Sequence, residues 1–146
     1  MLNKVNRYTS ADLFRSDADL KEDIENISLP SESVESVLCP HVLKHVDDKK
    51  ALESINRILK PGGKLIVMVP ICEGWEKTYE NIAIKDPVQR ELHFGQHDHM
   101  RYYGRDFIER MTNAGFEVTF YAANPEDCIK YGSLRGEKIF VGKKII

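Results

Sequence analysis

Residues 34–70 constrain this chain more than any other stretch, because strand, helix and strand signals follow one another there without a gap. Val34-Glu35-Ser36-Val37-Leu38-Cys39 is short, rich in β-branched residues and broken at Pro40. Asp47 and Asp48 are N-cap candidates, since a carboxylate accepts a free backbone N–H and suits the positive end of a helix. Ala51, Leu52, Ile55, Ile58 and Leu59 then recur at helical spacing, with Lys49, Lys50, Glu53 and Arg57 on the other side. Pro61-Gly62-Gly63 cannot continue a helix and offers the left-handed conformations that end one. Leu65-Ile66-Val67-Met68-Val69 is an unbroken apolar run, the pattern of a parallel strand covered on both faces. These pieces make a βαβ unit with a right-handed crossover, and the chain is read as an α/β protein.

A chain of 146 residues suits one domain, residues 1–146. A net charge of -2 with both signs interspersed argues against nucleic acid and anionic membrane as partners. No run reaches the length of a membrane span, and the first residues lack the apolar core of a signal peptide. Cys39, Cys72 and Cys128 are scattered and odd in number, which fits a reduced cytoplasm better than a disulfide framework. Burial as a small hydrophobe is the simplest role for Cys39 and Cys128.

Residues 5–13 are read as a strand ending near Asp12, and Asp23-Ile24 as the end of a very short second one. Residues 71–105 lack periodicity, and so long a loop in a compact domain is usually functional. A short helix after Pro87 is the one element expected inside it. Asp106 opens a helix with Phe107, Ile108, Met111 and Ala114 on one face and Gly115 as its stop. Residues 116–122 and 138–144 are then read as a closing antiparallel pair of strands.

Five motifs, in order and at matching spacing, resemble class I S-adenosylmethionine (SAM)-dependent methyltransferases. Residues 29–39, beginning Leu29-Pro30, look like the approach to that family's fourth strand. His41-Val42-Leu43-Lys44-His45-Val46 looks like its HVLEHV turn, and Arg57-Ile58-Leu59-Lys60-Pro61-Gly62-Gly63 like its RVLKPGG. Ala114-Gly115-Phe116 is similar to the AGF that closes its last helix. Residues 94–104, from Phe94-Gly95-Gln96 to Tyr103-Gly104, are similar to a loop of bacterial members. The resemblance implies a Rossmann-like fold, a mostly parallel sheet with a terminal antiparallel strand, and SAM as the methyl donor to a small-molecule or glycan-type acceptor. It implies that Asp12 accepts from both ribose hydroxyls, that Asp23 accepts from the adenine amino group beside Ile24, and that Cys39, Pro40 and His41 border the sulfonium. A carboxylate offers two acceptors to a vicinal diol, and open α/β sheets bind ligands at the carboxyl ends of their strands.

Two departures accompany the likeness. The family's first strand, its Gly-x-Gly-x-Gly loop and the helix behind it have no counterpart upstream of Val5, so the chain is read as a truncated member. The remaining strands are then expected to close ranks, with a second copy of the chain covering the bare sheet face as a homodimer. Lys44 stands where the pattern has Glu. The rival reading is a non-catalytic relic that dimerises or binds a partner.

The histidines admit sharper and blander readings. His41 and His45, four residues apart, would pair on a metal if the turn were helical, but no third ligand is evident and no metal is expected. His97 or His99 is the candidate catalytic base, since histidine titrates near neutrality; as metal ligands the two would have to converge. Arg101 either orients an anionic substrate group or makes a structural salt bridge. Tyr102 either stacks on substrate or anchors the loop, and Trp75 with Tyr79 either forms a lid or packs the loop down.

Overall fold

The computed structural model describes residues 8–145. Its centre is the unit read from residues 34–70. Strand β3 (Val34–Pro40) leads to helix α1 (Asp48–Ile58) and back into β4 (Leu59–Met68), and β3 and β4 pair in parallel. Asp47 caps α1 by accepting from the Lys50 backbone N–H. The helix ends before the Pro-Gly-Gly rather than on it, with Leu59 already extended at φ -69° and ψ 137°. Pro61 excludes helical backbone at Lys60, so the chain turns early. The left-handed Gly62 (φ 74°) instead shapes an irregularity in β4, where the register jumps from Val34↔Leu59 to Ser36↔Lys64. A Cβ on Gly63 would lie 2.8 Å from the Lys60 carbonyl oxygen and 3.0 Å from that of Glu35, so only glycine fits.

Downstream, α3 (Phe107–Asn113) feeds β7 (Phe116–Ala122), and β8 (Lys138–Lys144) ends the described chain. The sheet order is β3-β4-β8-β7, with β8 antiparallel to both neighbours. Three strands therefore share one direction and the last in sequence is reversed, as the resemblance implies. A short helix, Pro125–Tyr131, joins β7 to β8 where no element was expected. Its cap is Asn124, whose side chain accepts from the Asp127 N–H.

The core lies on one face of this sheet. Cys39, Leu65, Val67 and Phe140 pack beneath Leu52, Ile55 and Ile58 of α1 and Phe107 and Met111 of α3, all buried. Fully burying each of these larger side chains contributes about 1.5–3 kcal/mol. On the opposite face, Leu38, Ile66, Val141 and Thr119 form one cross-strand row. Leu38 is 54% exposed there, and Ile66 only half-buried. The expectation that the apolar run of β4 is covered on both sides thus holds for one side in this chain.

Among the described residues the amino-terminal strands are not joined to the sheet. The strand expected over residues 5–13 is confined to β1 (Ala11–Asp12), with residues 5–7 outside the described part. It pairs in parallel with β2 (Leu20–Lys21), upstream of the strand end expected at Asp23-Ile24. This pair forms a separate two-stranded sheet, so among the described residues the strands do not close ranks.

The long segment 71–105 has more structure than its lack of periodicity implied. β5 (Tyr79–Glu80) and β6 (Arg101–Tyr102) pair antiparallel around α2 (Pro87–Phe94). Asp86 caps α2 at the Gln89 N–H, and Gly95 (φ 79°) stops it. Among the described residues no helix is long and apolar enough to cross a membrane.

Candidate functional site

The site is built at the carboxyl ends of β3 and β4, on the turn that follows β3. His41 opens it in a left-handed conformation (φ 59°) rare for a side chain with a Cβ, and its N–H donates to the Met68 carbonyl at 2.8 Å. A 3₁₀ turn over Leu43–His45 follows, with Leu43 fully buried. Segment 94–103 staples this turn down. The Met100 N–H donates to the Lys44 carbonyl at 2.8 Å, and the Tyr103 hydroxyl to the Leu43 carbonyl at 3.0 Å. The Arg101 guanidinium donates to the carbonyls of Leu43 (2.8 Å) and Val46 (2.5 Å).

Arg101 is thereby engaged in the fold, the structural role of the two read from the sequence. Its side chain is 5% exposed, Nε donates to Glu80 at 2.9 Å, and Nη2 lies 3.8 Å from Asp48 Oδ1. Asp48 in turn accepts from Arg110 and from the Tyr103 hydroxyl, each at 3.0 Å, and Arg110 also pairs with Glu80 at 2.6 Å. This network ties α1, α3 and the β5–β6 pair to the turn, and Asp48 belongs to it rather than to the helix cap. Burial pushes the Glu80 carboxyl up, but hydrogen bonds from Arg110 and Arg101 outweigh it and hold the group below the usual range. Burial, with Asp48 adding to it, raises the Tyr103 phenol well above its ordinary value. A chain of five side chains so far apart in sequence leaves no local signal, so it was missed from the sequence.

The two candidate bases part company. His97 is exposed, whereas His99 is half-buried and turned inward. His99 Nδ1 lies 3.0 Å from the Phe94 carbonyl oxygen, so this nitrogen carries the proton and Nε2 keeps the lone pair. Nε2 is buried and has no hydrogen-bond partner among the described residues. Burial lowers the imidazole below its ordinary value, so the ring is neutral at pH 7. His99 also lines a cleft of about 20 Å³ with Lys44, Pro70, Arg101, Tyr102 and Tyr103, room for about one water. His45 stands edge-on to His99, ring centroids 4.8 Å apart, and its Nδ1 is 3.0 Å from Asp98 Oδ2. His93 is occupied elsewhere, with Nδ1 2.7 Å from the Tyr79 hydroxyl.

The remaining predicted residues divide. Asp12 ends β1, where its Oδ1 accepts from the N–H groups of Arg15 (2.9 Å) and Phe14 (2.8 Å). Those two bonds keep the carboxyl below the usual range, and Oδ2 has no hydrogen-bond partner among the described residues. Asp23 is exposed, accepting from the Glu25 N–H at 2.9 Å, while Ile24 packs against the core. The Cys39 side chain cannot border a ligand: it is 3% exposed in the core, and burial pushes its thiol up to about 12. Pro40 is exposed at the strand end, and His41 Nε2 lies 3.6 Å from Glu137. Trp75 stands edge-on to Tyr102 (6.1 Å) and Tyr79 (6.3 Å), so these aromatics hold the segment together. The Tyr102 hydroxyl also fills the space a side chain on Gly95 would need.

An acceptor carboxylate at one strand end and a neutral imidazole at another fit the ribose and acceptor sides of a nucleoside-type donor.

Comparison with known proteins agrees with this geometry. A family profile described as "Methyltransferase domain" matches residues 2–67. The ubiquinone/menaquinone biosynthesis C-methyltransferase UbiE of Vibrio cholerae is 30% identical, over 70% of this chain and 45% of that protein. The chain thus spans about half the length of that relative. Among solved structures, the 1,6-didemethyltoxoflavin-N1-methyltransferase of Burkholderia thailandensis, with bound S-adenosylhomocysteine, superposes with a TM-score of 0.68 at 13% identity, covering 99% of this chain and 64% of that one. The [4+2]-cyclase SpnF superposes at 0.62 with 16% identity, covering 88% and 57%, so the fold alone does not name a reaction. With its strand order, its reversed last strand and its sequence motifs in place, the chain belongs to the class I SAM-dependent methyltransferase family, whose cofactor is S-adenosylmethionine.

Proposed function

We propose that this chain carries the acceptor side of a SAM-dependent methyltransferase acting on a small molecule whose nucleophilic atom bears a proton. The observation that carries the reading is His99 Nε2: a neutral, tautomer-fixed nitrogen with no partner among the described residues, beside the carboxyl end of β4. When bound, the sulfonium of SAM supplies an activated methyl group, so the protein's part is alignment and proton removal. His99 Nε2 would take up the proton that the acceptor atom gives up on accepting the methyl group. Asp12, ionised and with Oδ2 open, would hold the ribose diol. Trp75 and Tyr102 would border the acceptor, and the left-handed turn at His41 would present backbone toward the sulfonium.

Calorimetric titration of SAM and S-adenosylhomocysteine tests the donor half. Binding that Asp12→Ala weakens by about tenfold or more, at ~1.4 kcal/mol per decade, supports the reading. Unchanged affinity in that variant removes Asp12 from the site. In methyl-transfer assays His99→Gln should lower kcat, and the acid limb of the wild-type rate profile should fall below the ordinary histidine value.

The exposed row Leu38–Ile66–Val141 favours a second reading for the chain on its own, pairing of this sheet face with a second copy. Light scattering at micromolar concentration decides it: a dimer that Leu38→Asp dissociates supports it, and a strict monomer sinks it.

A further inference from the structure

His45, Asp98 and His99 come together in a way that the spacing along the chain hides. One ligand atom from each lies within 4.8 Å of the other two. We infer that these three side chains form a binding site for a divalent transition-metal ion, zinc above all, with a fourth position open toward the cleft lined by Lys44 and Tyr102.

The geometry of the His45–Asp98 contact is the first reason. Nδ1 and Oδ2 are 3.0 Å apart, yet Nδ1 is buried and makes no hydrogen bond of acceptable direction. A ring nitrogen and a carboxylate oxygen that approach without a hydrogen aimed between them are placed like neighbouring ligands of one ion. Ligands at about 2.1 Å around a tetrahedral zinc lie about 3.4 Å from one another. The second reason is His99. The Phe94 carbonyl takes the Nδ1 proton, the outer-shell arrangement that fixes the tautomer of a metal-binding imidazole, and leaves a buried Nε2 without a partner among the described residues. The third is Asp98, whose Oδ1 is held by Gln96 Nε2 at 2.8 Å, leaving Oδ2 to the cluster.

The scaffold is stiff where ligands must be. His45 sits on the 3₁₀ turn pinned by Arg101 and Tyr103, and the Met100–Lys44 backbone bond ties the two ligand-bearing segments at 2.8 Å. Two imidazoles and one carboxylate suit zinc, cobalt or nickel better than magnesium or calcium, which prefer oxygen. Three protein ligands with an open position match a site that takes water or an acceptor oxygen. Lys44 opposes the ion, a cation of the cleft with no carboxylate partner among the described residues. His41, the other histidine of the turn, is not a ligand, since it points to Glu137.

This inference does not rest on methyl transfer. Ion and proton compete for Nε2 of His99, so an occupied site takes that base out of use, and zinc would inhibit any reaction that depends on it. The test needs neither SAM nor activity. Zinc and cobalt are titrated separately into protein without a histidine tag, by calorimetry and by the visible absorption of bound cobalt. One ion per chain is expected, with the intense bands of a low-coordinate site. His99→Ala and Asp98→Asn should each weaken binding by at least the roughly 10–100-fold that loss of an outer-shell partner costs. His93→Ala should leave it unchanged. Asp98 is 46% exposed, so its variant tests the site without threatening the fold. No saturable binding at micromolar protein, or binding indifferent to both ligand substitutions, overturns the proposal.

Discussion

Replacing Arg101 with alanine separates a structural arginine from a substrate-binding one. The substitution strips three hydrogen-bonded partners at once: the carbonyls of Leu43 and Val46, and the Glu80 carboxylate. The two carbonyls lie where water reaches poorly, with the Arg101 side chain only 5% exposed. The Leu43 carbonyl keeps the Tyr103 hydroxyl at 3.0 Å, so it is the Val46 carbonyl that loses its donor, at a cost of about 1–3 kcal/mol. Breaking a buried ion pair by removing one member costs about 3–5 kcal/mol. Arg110 stays on Asp48 at 3.0 Å and on Glu80 at 2.6 Å, so neither carboxylate is left alone. The loss therefore falls near the lower end, about 3 kcal/mol. At a urea dependence of about 2 kcal/mol per molar, the unfolding midpoint should drop by about 1.5 M. Arg101→Lys should recover only part of this, because an ammonium cannot span two carbonyls and a carboxylate in one plane. Urea unfolding followed by far-ultraviolet circular dichroism reads both values, given two-state behaviour. A midpoint shift under about 0.3 M, together with a raised KM for the acceptor, would refute this assignment and return Arg101 to the substrate.

The other expectations are of the same kind. Gly104→Ala should destabilise the protein by about 1–3 kcal/mol, because the new Cβ would lie 2.6 Å from the Lys77 carbonyl and 2.9 Å from the Thr78 nitrogen, backbone that cannot step aside; thermal unfolding measures it. Glu80 is held below its ordinary range when folded, so its contribution is complete above the unfolded value near 4.5 and disappears as pH falls through the lower folded value. Glu80→Gln should accordingly flatten the acid limb of stability against pH, and an unchanged limb counts against the pairing. Cys39, with its thiol pushed up to about 12, should resist thiol reagents at pH 8 while the half-buried Cys72 reacts, and should become reactive only on unfolding. Labelling followed by peptide mass analysis distinguishes the two.

The sheet's centre was legible because its signals are local. The β-branched run of β3, the helical spacing from Ala51 to Ile58 and the apolar run of β4 each declare an element within a few residues. Where reading went astray, a distant partner had overruled a local preference. Asp48 looks like a cap but is drawn into the core by Arg110 and Tyr103. Asp106 opens α3 yet spends its carboxylate on the Thr78 N–H and hydroxyl instead of the helix end. Cys39 follows a binding strand, but the twofold alternation of that strand sends its side chain to the covered face.

Candidate chemistry divides along the same line. The amino-acid order alone determined that an α/β unit is present, that Asp12 stands at a strand end, and that residues 93–99 concentrate histidine. Which histidine turns inward, and what meets it, was decided by packing. His45 and His99 belong to segments brought together only when Arg101 and Tyr103 bind the turn after β3. Pattern reports a residue's neighbours within a turn or two of backbone. The tautomer of His99, the burial of Arg101 and the company of Asp98 are set by atoms from far along the chain, which only the closed fold brings within reach.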